Sequence, residues 1–234
     1  NRTFIASALI GEFIGTFLLT VAFIGTKGDP LYLGFVLAGI VLIVGTLSGS
    51  HINPAVTVGA WVTRKISSLR AIGYIVAQIL GATLAFTALN MFLNSVPQQD
   101  AQSAAMMGQS VPQLFQVADL TTKNEWTVFF IEVIAAAIFT FAFAGARQIV
   151  NNPAARAFTI GFGLLVAGIF ATIAAGYVSA NSVFNPAVAL AVQAVDWSKI
   201  SIMAVAAYLI APLLGGVIGF GLRELLTVTE KKAA

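Results

Sequence analysis

The chain has 234 residues, of which 59% are hydrophobic and only 9% charged, with a formal net charge of +3. Ordinary soluble domains carry roughly 25% charged residues, so this composition excludes a water-soluble globular protein and points to a chain embedded in lipid. Cysteine is absent, which excludes disulfides and thiol chemistry, and no basic stripe with interleaved aromatics marks a nucleic-acid surface.

Six apolar stretches, near residues 4–25, 31–48, 70–93, 126–146, 157–177 and 200–222, approach the ~20 residues that a bilayer-crossing helix needs. The first holds Glu12 and several glycines without a basic leader, and it reads as a span rather than a signal peptide. The second is followed by Ser50-His51-Ile52-Asn53-Pro54-Ala55-Val56-Thr57. Asparagine is a preferred N-cap and proline a preferred first helical residue, so Asn53-Pro54 opens a helix by local chemistry alone. The apolar run ends at Val62, nine residues from Pro54. At about 1.5 Å per residue it reaches roughly half of a ~30 Å hydrocarbon core.

The third span completes a first half, residues 1–93, with a re-entrant loop at 48–62. Residues 94–125 are polar and rich in Gln, Ser and Pro, and read as an extracellular connector in which Leu114-Phe115-Gln116-Val117 forms at most a short surface element that reaches no motif. The fourth span opens a second half, residues 126–222. Its Ile131-Glu132-Val133-Ile134 and Thr140-Phe141 echo Gly11-Glu12-Phe13-Ile14 and Thr16-Phe17.

Asn152-Pro153-Ala154 lies in a loop between Arg147 and Arg156 and is expected only to start the fifth span. The matched tripeptide of the second half is Asn185-Pro186-Ala187, inside a re-entrant loop at 178–195, with an apolar run from Ala187 to Val195. In the sixth span, Ala211 to Gly215 loosely matches Gln78 to Gly81, and residues 223–234 form a tail whose end, Glu230 to Ala234, is expected to fray.

Three spans per half is an odd number, so the second half must enter the membrane upside down relative to the first. The predicted fold class is an all-α membrane protein of six transmembrane helices and two re-entrant half-helices, an inverted repeat of two three-helix halves. Arg2, Arg64, Lys65, Arg70, Arg147, Arg156, Arg223, Lys231 and Lys232 fall on one side, and Lys27, Lys123 and Lys199 on the other. The positive-inside rule then puts both termini in the cytoplasm.

Two half-helices entering from opposite faces meet at the midplane with their positive dipole ends inward, which disfavours cations and lets neutral molecules pass. The asparagine oxygens cap their own helices, so the Asn53 and Asn185 amide groups are expected to donate to a passing solute. Non-helical backbone at that depth is tolerated where it lines a cavity, and its carbonyls supply acceptors for single-file transport.

On these residues the sequence resembles the aquaporin family, or major intrinsic proteins. Ser48-Gly49-Ser50-His51-Ile52-Asn53-Pro54-Ala55-Val56-Thr57 is similar to that family's first loop motif, and the pattern around Glu12 is similar to its first-helix signature. The resemblance covers essentially the whole chain. It implies a homotetramer with one pore per subunit, and a structural role for Glu12 and Glu132 in holding the re-entrant loops. It places Asn53, Pro54, Ala55, Asn185, Pro186 and Ala187 at the pore midpoint and His51 in the vestibule. It also places Leu33, Ser182 and Val188 in the narrow filter, with Ile173, Phe170 or Gly168 as the fourth member. Val188 stands where the family usually has arginine, and Leu33 where water channels usually have an aromatic. The filter is therefore apolar apart from one hydroxyl, either narrow or widened by the loss of the arginine.

The leading expectation is a passive channel for water and small uncharged solutes, with glycerol facilitation as an alternative. A proton-coupled transporter using Glu12 or Glu132, and a closed-pore membrane scaffold, are the readings from other classes. Nothing assembles a nucleophile, base and orienting group, a metal-ligand cluster or a phosphate-cradling loop, so neither catalysis nor a cofactor is expected. His51 reads as a hydrogen-bonded loop residue before it reads as a pH sensor. The expected location is a plasma or inner membrane.

Overall fold

In a computed structural model the described residues are 2–95, 106–107, 111, 113–149 and 151–233, with side chains described among them from 5 to 227. The order of elements is α1 (Arg2–Thr26), α2 (Pro30–Ser48), α3 (Pro54–Val62), α4 (Ser68–Ser95), α5 (Glu125–Ala146), α6 (Pro153–Gly176), α7 (Pro186–Ala191) and α8 (Ile202–Val205). A π-helical turn at Ala206–Ile210 then leads into α9 (Ala211–Ala233). Among the described residues six segments, Ile5–Thr26, Pro30–Ser48, Ser68–Ser95, Glu125–Ala146, Pro153–Gly176 and Ile202–Thr227, are long and apolar enough to cross a membrane, so this is an integral membrane protein.

Proline sets the starts of α2, α3, α6 and α7, each preceded by an Asp or Asn whose side-chain oxygen accepts backbone N–H groups of the first turn. Asn152 behaves in this way, its oxygen accepting from Ala155 N at 2.9 Å. The third tripeptide thus starts a long helix.

The two halves repeat each other in contacts that sequence comparison alone matches poorly. Helix α1 packs on α4, as α5 packs on α9, and α2 crosses α6. A side chain at Gly81 would strike the Phe13 carbonyl oxygen, and one at Gly215 the Val133 carbonyl oxygen. Gly34 and Gly161 face each other's carbonyls where α2 and α6 cross. Close approach of helix backbones at small residues is how membrane helices gain packing energy without a hydrophobic drive between them. The loosely matched segments of α4 and α9 are therefore equivalent in three dimensions.

Three expectations change. The second half-helix stops at Ala191 rather than near Val195, because Gln193 takes a left-handed φ of 58° and turns the chain back. The end of the chain is helical through Ala233 instead of fraying at Glu230. Connector residues 96–105, 108–110 and 112 lie outside the described residues, but Leu114 to Val117 is more than a surface element. Val117 N donates to Val192 O at 3.2 Å, Ala118 N to Asn181 Oδ1 at 3.0 Å, and Phe115 packs on Phe23. The connector thus reaches the second re-entrant loop.

Candidate functional site

Each re-entrant loop hangs from one buried carboxylate. Glu12 on α1 accepts His51 N at 2.9 Å and Ile52 N at 2.6 Å. Glu132 on α5 accepts Val183 N and Phe184 N, each at 2.7 Å. A third donor completes each set, Gln78 Nε2 for Glu12 and Ser182 Oγ for Glu132, both at 2.7 Å. Burying a carboxylate is costly unless hydrogen bonds replace its water, and here three donors do so for each.

The clamped residues have unusual backbone. Ile52 has φ of 55° and Phe184 of 37°, left-handed values that a β-branched or bulky side chain rarely adopts. This conformation turns each carbonyl across the gap between the loops. Asn53 Nδ2 donates to Phe184 O at 3.0 Å, and Asn185 Nδ2 donates to Ile52 O at 3.0 Å. The two amides therefore bind the opposite loop. Their oxygens cap α3 and α7, Asn53 accepting from Ala55 N at 2.7 Å and Asn185 from Ala187 N at 3.2 Å. Pro54, Ala55, Pro186 and Ala187 are buried at the start of those helices.

Two tyrosines that no sequence motif marks complete the loop anchors. Tyr74 Oη donates to Ser48 O at 2.7 Å, and Tyr208 Oη to Asn181 O at 3.2 Å. They occupy corresponding places in α4 and the π-helical turn. The one usable signal is their common spacing before Gly81 and Gly215, seven residues in each case. His51 is enclosed, its Nδ1 3.2 Å from Thr57 Oγ1 and its ring edge-on to Tyr74 and Phe143. These contacts fix it in the loop, with one side left to line a cavity on the basic face.

On the side of the second loop, a cavity of about 30 Å³ is lined by Leu33, Ser182 and Val188, with Phe23, Leu164 and Thr172 among the other walls. Asn185 lines it too, so this cavity reaches one of the two asparagines. A water needs roughly 10–15 Å³ of such space, so the cavity holds about two. Leu19, Phe23, Leu33, Leu164 and Val188 give this cavity a largely apolar wall. Ser182 directs its proton to Glu132, leaving only an acceptor lone pair for the cavity.

Of the three helix-five candidates, Gly168 is the one that lines this cavity. Ile173 is 54% exposed and lies outside the cavity, whereas Gly168 and Thr172 line it. One residue along a helix turns the side chain by about 100°, enough to move Thr172 inward and Ile173 outward. Phe170 packs against the apolar core, away from the cavity wall.

Comparison with known proteins adds the following. The family model described as "Major intrinsic protein" matches residues 2–181. Aquaporin AqpM of Methanothermobacter marburgensis is 32% identical over 209 residues, covering 76% of this chain and 78% of that protein. Aquaporin Z of Photorhabdus laumondii is 26% identical over 236 residues, covering 95% and 96%. The glycerol uptake facilitator protein-like 6 of Lactiplantibacillus plantarum is 35% identical over 141 residues, covering 56% of this chain and 58% of that one. In three dimensions the chain is similar to the X-ray structure of the aquaglyceroporin from Plasmodium falciparum, with a TM-score of 0.67, 19% identity, and 98% and 100% of the two chains covered. That likeness supports the fold.

Proposed function

The chain belongs to the major intrinsic protein family and is a membrane channel for water or small uncharged solutes; from that premise we propose that its path runs in single file between Asn53 and Asn185 and is narrowest at Leu33, Ser182 and Val188. The observation that carries this reading is the reciprocal pair of amide-to-carbonyl bonds at 3.0 Å. An amide NH₂ has two donors. One on each asparagine is engaged across the gap, and the other is left for the oxygen of a molecule passing between them.

The size of the outer cavity favours water over glycerol. With room for about two waters, it admits water-sized solutes in file, while its apolar walls make each of them shed hydrogen bonds. A bare ion would shed far more hydration there without any compensating charge, so ion exclusion survives the absence of an arginine at position 188. The basic face is proposed to be cytoplasmic, with both termini on that side, in a plasma or inner membrane. A homotetramer with one pore per subunit is proposed from resemblance to the family. Nothing in this reading needs catalysis or a cofactor.

Stopped-flow light scattering on proteoliposomes tests it. A sucrose gradient should shrink them faster than empty liposomes, and glycerol should enter more slowly than water leaves. Glycerol outpacing water would instead favour a facilitator, the reading that similarity to a glycerol uptake facilitator protein supports. A permeability for neither solute above that of empty liposomes would overturn both.

A further inference from the structure

On the other side of the asparagine pair, below the first re-entrant loop, lies a second and more polar cavity of about 210 Å³. His51 and Tyr74 form its inner end, and Lys65, Arg70, Arg147 and Arg156 its walls. The four cations come from four places in the chain: the turn after α3, the start of α4, the end of α5 and the start of α6. Glu224, on α9, is paired with Lys65 at 2.9 Å. Arg70 lies over the Tyr74 ring, 6.0 Å from its centroid. The Arg147 and Arg156 guanidinium groups donate no hydrogen bond to any described residue.

The positive-inside rule asks only for basic residues in loops on one side, and Arg64 and Arg223 satisfy it without facing this cavity. Arg223 donates to Gln148 Oε1 at 2.8 Å and lies over the Phe141 ring. Sidedness therefore does not explain why three arginines converge on one hollow. Partial desolvation, reinforced by the Arg156 charge, holds Arg147 below the ordinary arginine value. Like charges gathered in this way repel, and an anion among them removes the repulsion. Guanidinium groups fit the edge of a tetrahedral oxyanion with two parallel N–H bonds, which favours phosphate over a spherical halide.

We propose that this cavity binds a phosphate group, free in solution or on a lipid headgroup, and that the bound phosphate narrows the path below His51 and slows conduction. The second part rests on the pore reading given above; the binding itself does not.

The test uses the full chain. In phosphatidylcholine nanodiscs, inorganic phosphate is titrated calorimetrically at fixed ionic strength against wild type and the double variant R147Q/R156Q. Wild type should bind saturably. Each charge-assisted bond lost weakens binding by about tenfold or more, so the double variant should show at least that loss. R147K/R156K keeps the charges but not the forks, and should bind between the two; it also decides the matter if the glutamine variant does not fold. In phosphatidylcholine vesicles, water flux should fall with phosphate along the same curve for wild type and stay flat for R147Q/R156Q.

Vesicles containing phosphatidylglycerol separate the sources. Low initial flux that free phosphate does not reduce further assigns the site to headgroups, and an unchanged phosphate curve assigns it to the free anion. No saturable binding, or equal binding by all three proteins, overturns the site. Binding with undisturbed flux overturns its effect on conduction. A wild type that binds phosphate but conducts nothing sinks the channel reading and leaves the site standing.

Discussion

Glu132→Gln probes the second loop through a single atom. The carboxylate takes Ser182 Oγ and Val183 N on Oε1, and Phe184 N on Oε2, all at 2.7 Å. Glutamine keeps the shape but offers one acceptor oxygen and one NH₂. In its best orientation the oxygen replaces Oε1, and the NH₂ then faces the Phe184 N–H. One charge-assisted bond of about 1.5–3 kcal/mol is lost, and a buried N–H left without an acceptor costs about 1–3 kcal/mol more. Relief from burying a charge offsets part of this. The net loss is about 2–4 kcal/mol, equivalent to roughly 30-fold to 1,000-fold in a loop equilibrium. Phe184, held at φ of 37°, is then free to relax strain of about 1–3 kcal/mol. Its carbonyl leaves Asn53 Nδ2. The expected outcome is a large fall in water permeability per channel by stopped-flow, with helix content by circular dichroism unchanged. Wild-type permeability per channel in E132Q would refute the argument that the carboxylate positions the central carbonyls.

Asn185→Ala removes the cap of α7 and the bond to Ile52 O; a cap alone is worth about 1 kcal/mol, and thermal melting should fall along with flux. Leu33→Ala opens the outer cavity beside Val188, so the glycerol-to-water permeability ratio should rise, and an unchanged ratio would show that the constriction lies elsewhere. Gly81→Ala and Gly215→Ala each drive a methyl into a neighbouring helix backbone and should sharply lower the yield of folded protein. Gly221→Ala meets nothing within 4 Å and should be neutral or stabilising by up to about 1 kcal/mol in melting experiments.

The six spans were legible because twenty apolar residues in a row have few other solutions, and α3 and α7 because Asn-Pro starts a helix without tertiary help. Glu12 and Glu132 stood out as lone acids in apolar helices. The left-handed Ile52 and Phe184 were not legible: neither residue favours that conformation, and the clamps that impose it come from α1 and α5, 40 and 52 residues away. Thr172, which lines the outer cavity beside Gly168, is not legible for a different reason. Gly34 lies 19 residues before Asn53, whereas its partner Gly161 lies 24 before Asn185. Counting from one half cannot place a residue in the other across that difference, and one step along the helix decides between Thr172 and Ile173.

The same geometry weighs against a proton-coupled transporter. A relay carboxylate must exchange its proton with water on both sides in turn, so it needs access to a cavity. Glu12 and Glu132 line neither the outer cavity nor the one on the basic face. Each is already occupied by three donors, two of them backbone N–H groups of a re-entrant loop. Protonating either acid would turn one acceptor oxygen into a donor facing those groups and release the backbone that directs Ile52 O and Phe184 O across the gap. A proton step at these sites would therefore disassemble the path it was meant to drive. Their placement suits fixed anchors of a passive channel, and glycerol or water flux that tracks its own gradient, without pH-driven accumulation, is the behaviour that follows.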